Sequence, residues 1–128
     1  MPILVKSKTS TSKPLAVYEH KKIIMAVSKT IGATLRELRE SKGLLLREVG
    51  AKLSLDSTIL SKIEQDKRMP TKEQVKSLAN FYKDQKNEVI IAWLSDKLFY
   101  EVQDEDLALQ AMQVAEEKIK YNKKKTKK

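Results

Sequence analysis

Cysteine is absent from this chain of 128 residues, histidine occurs once, and glycine and proline occur three times each. Without cysteine there can be no disulfide staple and no thiolate metal site, so stability has to come from a packed core. The length suffices for one compact domain with such a core. A reducing, cytoplasmic setting fits the missing cysteine. The lone histidine, His20, has no cysteine or carboxylate companions. It reads as a surface residue rather than a metal ligand or catalyst. Three glycines make no phosphate-binding loop, and the chain has no cysteine nucleophile, so enzymatic readings are poor and no cofactor or metal is expected. Asp104, Glu105 and Asp106 are consecutive, and consecutive side chains diverge around a helix instead of converging on an ion. Long apolar runs are also lacking. Nothing spans a membrane, and no apolar stretch follows Lys6 and Lys8 as a secretory signal would require.

What the chain does have is positive charge, +9 in all. It invites a nucleic-acid reading, but its distribution is uneven. Residues 1–30 carry six lysines against one glutamate, and residues 118–128 carry seven lysines and no acid. Between the ends, residues 34–86 hold 12 basic and 8 acidic residues, whereas residues 87–117 hold one basic and eight acidic residues. A mildly basic block is thus followed by an acidic one, and two basic tails flank them.

Residues 1–29 read as a basic, partly ordered arm, with short ordered pieces possible at 15–17 and 23–27. Met25 offers an alternative start, with the residues before it an upstream extension or leader. From Ile31 onward the apolar spacing is helical. Ile31, Leu35 and Leu38 mark a first helix, and Gly43 is a left-handed stop. A second helix covers 46–53, with Val49 and Leu53 on one face and Gly50 where another helix could come close. Ser54 and Leu55 form a turn, and Asp56 caps a third helix, about 57–65, whose Leu60 and Ile63 face inward. Pro70 interrupts the chain. Thr71, with Gln74 at the capping-box position, starts a fourth helix carrying Val75, Leu78, Ala79 and Tyr82. A fifth, about 88–101, has a wide apolar face of Val89, Ile90, Trp93, Leu94 and Leu98, with Trp93 a core or interface anchor. The three acids at 104–106 suit the start of a sixth helix, about 105–121. Its stripe is Ala108, Met112, Ala115 and Ile119, which fits either core packing or a dimer seam. The lysine-rich end, 122–128, is expected to be disordered. The expected organisation is therefore an arm (1–29), an all-α domain (30–103), a C-terminal helix (104–121) and a tail.

Two short amphipathic helices, a tight turn between them, small polar residues opening the second, and a Lys-Arg pair after it make up the layout of a helix-turn-helix. The stretches IGATLRELRESKGLLLREVGAKL and ILSKIEQDKRMPTKEQVKSLANFY resemble the Cro/lambda-repressor-like helix-turn-helix family, also called the XRE family, over residues 31–82. The continuation IIAWLSDKLFYEVQDEDLALQAMQVAEEKIKY is similar to the tail of a bacterial subgroup often found beside DNA-modification genes. The resemblance implies a five-helix DNA-binding fold with an added C-terminal helix, and a small dimeric regulator of transcription on the bacterial nucleoid. It places Ser57, Thr58, Ser61 and Lys62 against base edges of double-stranded DNA, where hydroxyls and an ammonium read the major groove. It places Gln65, Lys67 and Arg68 on phosphates, which set register and supply salt-dependent affinity. It also implies a structural ion pair, Arg39 with Glu64.

Four positions depart from that family's pattern. Leu45 and Leu46 stand where Thr or Ser and then a phosphate-holding Gln are usual. Ser54 and Asp66 stand where glycines are usual, and Asp66 would bring a negative charge near the DNA backbone. These changes imply weaker or differently oriented DNA contact. Two further functions stay open: an antitoxin whose C-terminal helices bind a protein toxin, and an adaptor without DNA binding that docks a partner on Leu45 and Leu46.

Overall fold

The computed structural model describes residues 29–126. Of the arm, only Lys29 falls within that range. The pieces expected at 15–17 and 23–27, together with His20, lie outside it, as do Lys127 and Lys128. The all-α expectation holds: among the described residues there are six α-helices, one 3-10 turn and no strand. The helices are α1 (Ile31–Ser41), α2 (Leu46–Leu53), α3 (Ser57–Glu64), α4 (Lys72–Phe81), α5 (Lys86–Val102) and α6 (Ala108–Thr126), with the 3-10 turn at Lys83–Gln85 before α5. None is long and apolar enough to cross a membrane.

The starts of these helices follow from local chemistry. Thr30 Oγ1 accepts from the Ala33 N–H at 3.0 Å at the head of α1. The Asp56 carboxylate accepts from the Thr58 N–H at 2.7 Å at the head of α3. At α4 the full capping box forms: Thr71 Oγ1 accepts from Gln74 N–H at 3.1 Å and Gln74 Oε1 accepts from Thr71 N–H at 3.0 Å. Each satisfies backbone donors that a helix start leaves unpaired.

The ends of α1, α2 and α3 share one device. After α1, Gly43 takes φ +66°, and the Leu44 N–H reaches back to the Arg39 carbonyl at 3.1 Å. After α2, Ser54 takes φ +56° and the Leu55 N–H reaches the Gly50 carbonyl at 2.8 Å. After α3, Asp66 takes φ +62° and the Lys67 N–H reaches the Lys62 carbonyl at 2.9 Å. Such left-handed stops satisfy the last carbonyls and favour glycine, which has no Cβ to clash. Only one of the three is glycine. Ser54 and Asp66 carry a side chain there, at a cost of about 1 kcal/mol each.

α3 packs against both α1 and α2. The core consists of Ile31 and Leu35 from α1, Val49 from α2, Leu60 and Ile63 from α3, Val75, Leu78 and Ala79 from α4, then Tyr82, Val89, Ala92 and Trp93. Burial, and then the charge of Glu64, pushes the Tyr82 hydroxyl up to about 12. Trp93 is a core anchor, and its Nε1 donates to the Pro70 carbonyl at 3.0 Å. The wide apolar face expected of the fifth helix divides: Val89 and Trp93 are buried and Ile90 packs on the core, but Leu94 and Leu98 are exposed.

The chain separates into two compact units between Asp96 and Lys97, inside α5. Among the described residues, full apolar burial stops at Trp93. In the second unit, turns occupy the acidic residues at 104–106, and α6 begins only at Ala108. Of its apolar stripe, Ala108, Met112 and Ala115 are half-buried and Ile119 is exposed. The helix also continues to Thr126, through part of the expected disordered tail. Lysine is a good helix former, and cations suit the negative end of the helix dipole.

Candidate nucleic-acid interface

α3 turns two faces in opposite directions. Leu60, Ile63 and Glu64 are buried, while Ser57, Thr58 and Lys62 are exposed and Ser61 is half-buried. Residues 57, 58, 61, 62 and 65 share the outer face because positions three and four apart are neighbours on a helix. Gln65 Nε2 donates to Ser61 Oγ at 2.8 Å, which links an expected phosphate ligand to an expected base reader.

This face forms one wall of a groove of ≈ 660 Å³. The other wall is the start of α2, with Leu45, Leu46 and Arg47. The groove brings together Ser57, Thr58, Ser61, Lys62, Gln65 and Lys67, but not Arg68, which is exposed outside its lining. Arg47, Lys62 and Lys67 give it three cations, and no carboxylate lines it.

The absence of acid from the groove is a product of the fold, because four acidic residues lie close by in sequence. Glu48 Oε1 accepts from the Leu45 N–H at 2.7 Å, and Asp56 is held at its cap. Glu64 is turned inward onto Arg39, whose Nε lies 2.9 Å from Oε2 and whose Nη2 lies 3.0 Å from Oε1. Arg39 Nη1 also donates to the Leu44 carbonyl at 2.8 Å. The pair is nearly sealed, with side chains 12% and 4% exposed for Arg39 and Glu64. The hydrogen bond to Glu64 pushes the Arg39 pKa up, against the opposing effect of burial.

Asp66, itself exposed, turns its carboxylate to the head of α1, where Oδ2 accepts from Thr30 Oγ1 at 2.8 Å and Oδ1 lies over Gly32. A Cβ on Gly32 would run into that oxygen and the Ile63 carbonyl, and would come within 2.9 Å of the Glu64 carbonyl. Gly32 is therefore what lets the end of α3 approach the start of α1. Asp96 joins the same helix head, with Oδ2 accepting from the Ile31 N–H at 2.8 Å. Burial raises its pKa, the Ile31 N–H opposes the rise, and the charge of Asp66 adds to it.

One expectation changes. Leu45 and Leu46 do not form an exposed pair: Leu45 is 47% exposed, but Leu46 is half-buried against the core. Beside Gly50 stand the Leu55 carbonyl, 2.6 Å from where a Cβ would sit, and the Ser57 N at the start of α3, 3.6 Å away. Arg47 is the functional candidate that the sequence reading missed. A single arginine among many cations has no distinguishing pattern, and only its place across from Lys62 singles it out. Among the described residues no cluster of histidines and carboxylates could hold a metal ion.

Residues 30–89 match the family model described as a helix-turn-helix domain. The match runs from the cap of α1 into the first turn of α5. No curated protein and no solved structure matches the chain. The domain type supports DNA as the partner.

Proposed function

We propose that this chain, with its helix-turn-helix domain, is a small transcriptional regulator of the XRE type. In this reading it binds specific double-stranded DNA sequences as a homodimer in the cytoplasm and acts as a repressor or autoregulator. The observation that carries the reading is the groove across α2 and α3, which holds hydroxyls and three cations and no carboxylate. α3 enters the major groove, Ser57, Thr58, Ser61 and Lys62 meet base edges, and Gln65, Lys67 and Arg68 hold phosphates. Arg47 adds a phosphate contact from the opposite wall, in place of the Gln that Leu46 replaces.

One short reading helix covers few base pairs, and two copies on half-sites about 34 Å apart are the usual remedy. Support for a second copy comes from the C-terminal unit. Leu107, Leu109, Val114, Ile119 and Tyr121 are all exposed there, and Ala108, Met112, Ala115 and Ile119 follow the alternating four-three spacing of a coiled-coil seam.

Selection of bound sequences from random duplex DNA at moderate salt tests the first half. A shared motif is expected, and no enrichment would overturn sequence-specific binding. Within the selected site, replacing Thr58 and Lys62 together by Ala should remove the preference while leaving nonspecific binding largely intact. Light scattering tests the second half, with a dimer mass expected. A monomer at micromolar concentration that acquires a partner only with a second, different protein would favour the antitoxin reading instead.

A further inference from the structure

We propose that Leu45 reads the C5-methyl group of a pyrimidine in the major groove, carried by thymine or by 5-methylcytosine. The proposal rests on the DNA-binding reading above and assigns a specificity contact that reading does not contain.

Leu45 occupies the N-cap of α2, where a Ser, Thr, Asp or Asn would accept a hydrogen bond from the first turn. A leucine there forfeits that bond. It does not compensate by entering the core: Leu44 and Leu46 on either side pack against it, while Leu45 stays 47% exposed. Its side chain instead forms part of the groove wall opposite Ser57 and Thr58, with Arg47, Lys62 and Lys67 as the charged members. The lining thus combines an apolar group with cations and has no acid. A purely apolar partner leaves the cations unmatched, and a plain phosphate surface leaves the leucine unmatched.

Duplex DNA offers both features within one groove width. Its phosphates flank the major groove, and the one apolar group that its base edges project into that groove is the pyrimidine C5-methyl. Uracil and unmethylated cytosine lack it. A leucine at this place therefore discriminates by burial rather than by hydrogen bonding. Burying one such carbon against the leucine corresponds to about a fourfold gain in affinity.

The test uses the full chain and the duplex it selects. Each thymine of the site is replaced singly by deoxyuridine, and each cytosine by 5-methylcytosine. These exchanges alter only the methyl group. Where thymine is the source, uracil at one position should weaken wild-type binding about fourfold. Where methylcytosine is the source, methylation at one cytosine should strengthen it by a similar factor. In Leu45→Ala the same exchange should change affinity by less than about 1.5-fold, because the carbons that meet the methyl are gone. Leu45→Ser gives a second variant that restores the helix cap. It should unfold at a higher denaturant concentration than wild type and be equally insensitive to the methyl. Two results would overturn the proposal: no methyl exchange at any position alters wild-type binding, or the sensitivity survives undiminished in both variants. Failure of the underlying reading looks different, since no motif would then emerge from selection at all.

Discussion

All twelve side chains of the hydrophobic core precede Asp96, whereas eight of the twelve exposed large hydrophobics among the described residues follow it. Both units are helical and both are rich in leucine, valine and alanine. In the first, apolar stripes on α1 to α5 face one another and close. In the second, the α6 stripe is half-buried at Ala108, Met112 and Ala115 and exposed at Ile119. The same pattern thus closes a core in one unit and leaves large side chains in solvent in the other. The polar residues differ in the same way. Around α3 the carboxylates of Glu48, Asp56, Glu64 and Asp66 are all engaged by backbone or by internal partners. On α6, Glu116 and Glu117 make only exposed pairs with Lys120, which contribute little.

The largest expected effect lies in the sealed pair of the first unit. Glu64→Ala leaves Arg39 charged and almost buried, and should destabilise that unit by about 3–5 kcal/mol. The single tryptophan, Trp93, is part of its core, so fluorescence during urea unfolding reads this unit directly. A loss under 1 kcal/mol would mean the pair is far wetter than its geometry. Next comes a matched truncation of one leucine in each unit. Leu60→Ala, at a fully buried site, should cost about 2–5 kcal/mol by the same readout. Leu109→Ala, at a site 80% exposed, should leave the Trp93 transition within about 0.5 kcal/mol while weakening self-association seen by sedimentation. Equal losses in the two variants would erase the contrast between the units.

A smaller gain is expected inside the first core. Thr34 is buried on α1, and its hydroxyl has no hydrogen-bond partner. Thr34→Val keeps the shape and removes the unpaired group, so the urea midpoint should rise by the equivalent of about 1 kcal/mol. Smaller still is Ser54→Gly, which frees the left-handed turn between α2 and α3 from its side chain. It should stabilise by roughly 0.5–1 kcal/mol without altering the groove, checked by unchanged DNA affinity. Asp66→Gly makes a useful control, because the relief of its φ is offset by the lost bond to Thr30.

Much of the first unit was legible beforehand because its signals are local. Gly43, Asp56, Thr71 and Gln74 mark helix ends through contacts spanning a few residues. Leu60 and Ile63, like Val75, Leu78 and Ala79, recur at the period of the helix. The outer face of α3 was legible for the same reason: once Leu60 and Ile63 face inward, Ser57, Thr58 and Lys62 face out. Arg47 was not, since its value depends on standing across a groove from a different helix. Nor was the direction of Asp66, whose partner Thr30 lies 36 positions away. That bond holds its carboxylate at the head of α1. The late start of α6 was missed because acids suit a turn as well as a first helical turn.

By itself the sequence determined where the helices lie in the first unit, which face of each is apolar, and which end of α3 carries the small polar residues. Those properties depend on periodicity and on caps within a few residues of the backbone groups they satisfy. Only the tertiary structure decided where the Asp66 carboxylate turns, because its partner Thr30 lies 36 positions away at the start of another helix. It decided too that Leu46 joins the core while Leu45 stays on the groove wall, a difference set by rotation about the axis of α2 against α3.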